Sequence, residues 1–232
     1  MLLSAPTWAI HISSMAEWIY AAVLLYRYGA DIQRPDVQRF ALCMIPHWLG
    51  GLCVIIYHLL GDAVLFWLDL SKLINCFGSA SLLYATLRLL YPTKLSGSIT
   101  TGALLITLHA PIGMQSAEPS AHAAEWIVFN PTFVAVLFQT SSVIYLVFLV
   151  ALLAVYRRDK HVFSATTVVG FWFLLVFVAI TVVCIYAATT LRGYPTLTHD
   201  DVLHGFAEFF LTISNLLIVI GIRQKRRDVA AL

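Results

Sequence analysis

Charge is what this chain has least of. Lys plus Arg number 14 and Asp plus Glu 12, together 11% of 232 residues. Average soluble domains carry about 25%. With 60% hydrophobic residues, a water-soluble globular domain is excluded and an integral membrane protein is expected. No run of basic residues is interleaved with aromatics, so there is no electrostatic footprint for nucleic acid. Cysteine is sparse: Cys43, Cys53, Cys76 and Cys184 all fall inside apolar stretches. No CxxC pair or disulfide framework is present. Met1–Thr7 lacks a basic region, so no cleavable leader is expected. The last apolar stretch has no lysine, which removes a retinal Schiff base there. Low-complexity segments, long linkers and heptads are absent.

What the chain does have is long apolar runs. They predict an all-α integral membrane protein, a seven-transmembrane-helix bundle in one polytopic domain. The spans are expected at Thr7–Tyr28, Gln38–Leu60, Leu65–Leu90, Ser98–Met114, Thr132–Tyr156, Val162–Thr189 and Val202–Ile222. Residues 1–92 form a first three-helix part, 93–129 a weaker fourth span and an outer loop, and 130–232 a last three-helix part. With seven spans, 12 of the 14 Lys and Arg fall in the loops and terminus of one side. The positive-inside rule then puts the N-terminus outside or in a lumen and the C-terminus on the cytoplasmic or stromal side.

Polar residues inside such spans mark sites, because a charge facing lipid costs several kcal/mol. In the last span His204, Glu208 and Asn215 share one helical stripe. Depth along each span places His11, Glu17, His58, Asp69, Lys72, His204 and Glu208 in the outer half. Ser14 and Asn75 complete the polar set. Asp69 and Lys72, three residues apart, can pair on one helix face.

These residues support several chemistries. They can be packing glue between helices. His11, His58 and His204 can ligate haem iron, a chlorophyll magnesium or a zinc ion. Glu17 and Glu208 can carry protons or ions in a transporter. A zinc hydrolase arrangement of His58, Asp69, His204 and Glu208 is a further option, although one HxxxE is a weak signal. His47, His109, His161 and His199 read as interfacial or loop residues and not as ligands.

The opening LSAPTWAIHISSMAEWIYAAVLLYRYG, followed by MIPHWLGGLCVIIYHLL, closely resembles the chloroplast hypothetical reading frame forty-nine family. That is an uncharacterised membrane protein family of cyanobacteria and plastids. The resemblance covers roughly residues 1–90. Asn130 to Arg223, with LHGFAEFFLTISNLLIVIGIR, resembles a companion domain of unknown function from the same organisms. The matching positions are His11, Ser14, Glu17, Trp18 and His58, then His204, Glu208, Ser214 and Asn215. Ser79 stands where the family has an asparagine.

The resemblance implies a thylakoid or cyanobacterial plasma membrane and carries no known activity. The leading expectation is a non-enzymatic subunit or assembly factor of a photosynthetic complex. It would bind chlorophyll, carotenoid or haem through the outer-half histidines and would contact the lipid bilayer and other complex subunits. A proton-linked transporter using Glu17 and Glu208 is the alternative, and a metal-dependent membrane enzyme the second.

Overall fold

The computed structural model describes residues 3–91 and 130–231. The expected fourth span, Ser98–Met114, lies outside the described residues, as do Lys94, His109, Glu118, His122 and Trp126. The described chain is helical: α1 Ala5–Asp31, α2 Pro35–Leu42, α3 Ile45–Leu59, α4 Leu65–Leu90, α5 Pro131–Arg158, α6 Ala165–Tyr186 and α7 Asp201–Ala230. A π-helical turn, Ala187–Leu191, prolongs α6, and a short 3₁₀ turn, Leu197–His199, precedes α7. Among the described residues, six helical stretches are long and apolar enough to cross a membrane, α2 and α3 together making one.

Local sequence explains where the helices begin. The side chain of Asn130 accepts from the Thr132 N–H, that of Ser164 from Thr167, and that of Asp200 from Leu203. Each satisfies an N–H that has no partner within its helix. The span expected to run unbroken from Gln38 to Leu60 is instead two helices, parted at Cys43–Met44. Pro46 is the reason. It lacks an N–H and its ring clashes with the preceding turn, so it fits only in the first turn of a new helix.

The helices form two layers. In one, α7 lies between α1 and α6; in the other, α4 lies between α3 and α5. Side-chain contacts fix the directions. Ser4 meets Asp201, Ser14 meets Asn215 and Asp31 meets Arg226, so α1 and α7 are parallel. Ser79 meets Ser141 and the Leu90 carbonyl accepts from Arg158, so α4 and α5 are also parallel. Helix α3 runs against α1, with His58 near His11 and His47 near Trp18.

The bundle therefore has two unlike ends. At the arginine end, Arg34 bridges Asp36 and Asp159 at 2.9 and 3.0 Å. Above it Phe40, Phe148, Phe163 and Phe171 pack ring against ring, with centroids 5.0 to 6.2 Å apart. Trp18 closes this core, its indole N–H donating to the Met44 carbonyl at 2.9 Å. Close backbone approach joins α6 to α7. A Cβ at Gly170 would stand 2.8 Å from the Ile218 nitrogen, and one at Gly221 would strike Thr167. The histidine end, by contrast, buries three histidines beside a cavity.

Candidate functional site

Three histidines from three helices meet at the histidine end. His11 comes from α1, His58 from the last turn of α3 and His204 from the first turn of α7. Their ring centroids lie 5.1 Å apart in all three pairings. Each offers one ring nitrogen within 4.8 Å of the others, and each is buried. Exposure is 6% for His11, 2% for His58 and 5% for His204, so little of each ring reaches water.

Their hydrogen bonds are incomplete. His58 Nδ1 lies 2.7 Å from Asp62 Oδ1. His11 Nδ1 faces Glu208 Oε2 at 3.8 Å, too long for a hydrogen bond. His11 Nε2 and His204 Nδ1 are buried with no partner. Leaving a buried polar atom unpaired costs about 1–3 kcal/mol.

Asp62 was not among the residues singled out from the sequence. It sits just past α3 at φ 61°, after Gly61 at φ 69°. This left-handed pair, Gly then Asp, folds the chain back so that residue 62 meets residue 58. Its signal is the HxxxD spacing of His58-Leu-Leu-Gly-Asp62. A carboxylate on Nδ1 fixes the imidazole tautomer and leaves Nε2 for a ligand. Asp69, considered with His58, His204 and Glu208 for a zinc site, is paired with Lys72 at 2.9 Å in the early turns of α4, as their spacing allows.

The stripe of α7 turns inward as a set. His204 and Asn215 are buried and Glu208 is largely so. The Asn215 amide nitrogen donates to both the carbonyl and the hydroxyl of Ser14, each at 3.0 Å, and so ties α7 to α1. Beside the triad lies a cavity of about 570 Å³ to which all six spans contribute. His11, Ser14, Asn75, Glu208 and Asn215 line it; Glu17, Asp69, Lys72, His58 and His204 do not. Glu17 is half-buried elsewhere, with Oε2 unpartnered. Asn75 donates to Ser71 at 3.3 Å and packs over Gly50. His47, set aside from the sequence, is in the cavity wall, its ring against Gly78 and 5.8 Å from Trp18. His161 and His199 lie in the loops before α6 and α7.

Comparison with known proteins assigns the two parts of the chain. Residues 2–88 match a family described as a protein of unknown function, DUF2499. Residues 134–227 match a second one, DUF3593. A Ycf49-like protein of Synechocystis is 34% identical over 85 residues, covering 36% of this chain and 82% of the relative. The chain belongs to the Ycf49-like family. No solved structure matches it. Set on the bundle, the two family segments share the triad: His11 and His58 lie in the first and His204 in the second. The Ycf49-like segment therefore supplies two of the three imidazoles, and the site is complete only where α7 packs on α1.

Proposed function

We propose that this member of the Ycf49-like family is a metal-binding membrane protein whose triad, His11, His58 and His204, holds one first-row divalent ion of the zinc class. One observation carries the reading: three buried imidazoles offer their nitrogens within 4.8 Å of one another. Zinc–nitrogen bonds of 2.0–2.1 Å in a tetrahedron put ligand nitrogens roughly 3.4 Å apart. Small side-chain rotations close that gap. Imidazole suits zinc, copper, iron and nickel. Asp62 orients His58 as second carboxylates do in metal sites. Three protein ligands would leave a fourth position for water or substrate, and Glu208, 3.8 Å from His11 Nδ1, is the nearby carboxyl that could take a proton.

The same geometry weighs against a haem held between two of these histidines. Two axial imidazoles grip a macrocycle from opposite faces, and rings in mutual contact leave no slot for it. A proton path through both glutamates is disfavoured too, since Glu17 lies off the cavity. Family membership supports a cyanobacterial or plastid membrane, and the role of subunit or assembly factor for a photosynthetic complex belongs to this proposal as its setting.

Seven crossings, with the N-terminus on the luminal side, remain our reading. The parallel pairs support it. Helices α1 and α7 run the same way, as do α4 and α5, so α4 ends and α5 begins at opposite ends of the bundle.

Metal analysis of protein purified in mild detergent without chelator tests the function. The expected result is one equivalent of a first-row metal, lost in His58→Ala and in His204→Ala while the helical circular dichroism is retained. Metal-free protein that also refuses added zinc and cobalt would reject it.

A further inference from the structure

We propose that the cavity beside the triad is a binding site for a neutral lipophile bearing a hydroxyl group. This goes beyond the metal reading, because it stands on the cavity wall and not on the three imidazole nitrogens.

The wall is aromatic and aliphatic. Trp18, Trp48, Phe138, Tyr145 and Phe177 contribute rings, and Val54, Ile55 and several leucines the rest. At about 570 Å³ the space is in the range of small-molecule sites, about 300–1,000 Å³. Most polar atoms around it are already used. The Trp18 N–H is held by the Met44 carbonyl, the Tyr145 hydroxyl by the Phe171 carbonyl and the Ser142 hydroxyl by the Phe138 carbonyl. Outside the triad, two residues of the wall keep a buried atom without a partner: His47 Nδ1 and Asn215 Oδ1.

Asn215 decides the head group. Its amide nitrogen faces the Ser14 carbonyl, which only accepts. The amide orientation is thereby fixed, and the free Oδ1 is an acceptor that needs a donor. Asn215 lines the cavity and is 1% exposed, so bulk water does not supply that donor, and a molecule seated in the cavity is the donor we assign to it. A hydroxyl donates to Oδ1 and can still accept. A ketone or ester has nothing to donate. Charge narrows the class further. No lysine or arginine is among the described residues lining the cavity, so a carboxylate or phosphate head would find no cation to offset the loss of its hydration. An ammonium head would give up its hydration to a largely apolar wall, at high cost.

Three brominated probes with one chain and different heads test this: bromoundecanol, bromoundecanoate and bromoundecane. Bromine quenches tryptophan, and Trp18 and Trp48 form part of the wall. The expected result is saturable quenching by bromoundecanol, at least about fivefold more effective at equal mole fraction in detergent than either other probe. Ser142→Phe, which fills the cavity, should abolish the saturable part; Leu211→Trp serves if that variant loses its near-ultraviolet circular dichroism. Asn215→Leu, which removes the acceptor, should weaken the alcohol and leave the alkane unchanged. Equal quenching by all three probes, preference for the anion, or saturable quenching that survives both filled variants would overturn the proposal. Metal content read on the same samples separates the two ideas. Metal-free protein that binds the alcohol sinks the metal reading alone. Metal-loaded protein that treats the three heads alike sinks this one alone.

Discussion

His58 Nδ1 lies 2.7 Å from Asp62 Oδ1, four residues on and across a left-handed Gly61-Asp62 turn. The carboxylate holds one nitrogen of the ring so that the other is free to bind. Asp62→Asn keeps a residue that tolerates the positive φ but removes the anion. Removing such an outer partner typically costs 10–100-fold in metal affinity. A weakening of that size is expected in chelator competition, with little change in unfolding temperature. Unchanged affinity would show that Asp62 does no more than close the turn.

The pair Ser14 and Asn215 should matter for stability. Two hydrogen bonds at 3.0 Å join α1 to α7 through one buried amide. Interhelical hydrogen bonds in membrane proteins are worth about 0.6 kcal/mol on average and up to about 1.7. Asn215→Leu should therefore lower unfolding stability in detergent by about 1 kcal/mol. Ser14→Ala should lose less, because the Ser14 carbonyl still accepts. Reversal of that order would mean the hydroxyl, not the carbonyl, carries the contact.

Close packing of α6 on α7 gives a larger effect. A Cβ at Gly170 would meet Ile218 at 2.7 Å and its backbone nitrogen at 2.8 Å. Overpacking of this kind costs about 1–3 kcal/mol. Gly170→Ala should destabilise within that range, and Gly170→Leu should prevent accumulation of folded protein. A Gly170→Ala variant as stable as the parent would place the two helices further apart than described.

Topology has a direct test. Single cysteines introduced at Ser4 and Asp62 should react with an impermeant thiol reagent from one side of the membrane, and those at Asp159 and Asp228 from the other. The parent for this needs Cys43, Cys53, Cys76 and Cys184 replaced. Lys94→Cys should label with the second group and Glu118→Cys with the first, if the chain crosses between them. Labelling of all six from one side would remove the alternating bundle altogether.

The arginine end predicts an acid-sensitive clamp. Burial alone would raise the Asp159 carboxyl, but the Arg34 hydrogen bond and charge outweigh it and hold the group below its ordinary 3.8. A carboxylate depressed in the folded state stabilises above its unfolded value, and that contribution is lost as pH falls through the folded value. Both partners are about one-third exposed, so the contribution should stay under about 1 kcal/mol. The stability gap between the parent and Asp159→Asn should be constant above about pH 5 and should shrink toward about pH 2. A gap independent of pH would mean the pair is not formed.

Sequence carried the class and six of the expected spans, the fourth lying outside the described residues. Length and hydropathy identify a membrane helix without any tertiary information, because the bilayer demands about 20 apolar residues in a row. Periodicity alone put His204, Glu208 and Asn215 on one face, since residues spaced along 3.6 per turn share a side whatever they pack against. Asp69–Lys72 was legible for the same local reason.

What the sequence could not decide was distance between helices. His11, His58 and His204 come from segments up to 193 positions apart, and only the packing of α1 against both α3 and α7 brings their rings together. The split at Pro46, the turn that delivers Asp62 to His58 and the inward placement of His47 are likewise tertiary outcomes. So is the separation of Glu17 from the cavity that Glu208 lines. Depth in a membrane follows from counting residues, but facing follows from which neighbour a helix buries against. That choice rests on close glycine contacts such as Gly170 on Ile218 and on paired amides such as Asn215 on Ser14, which no single helix contains.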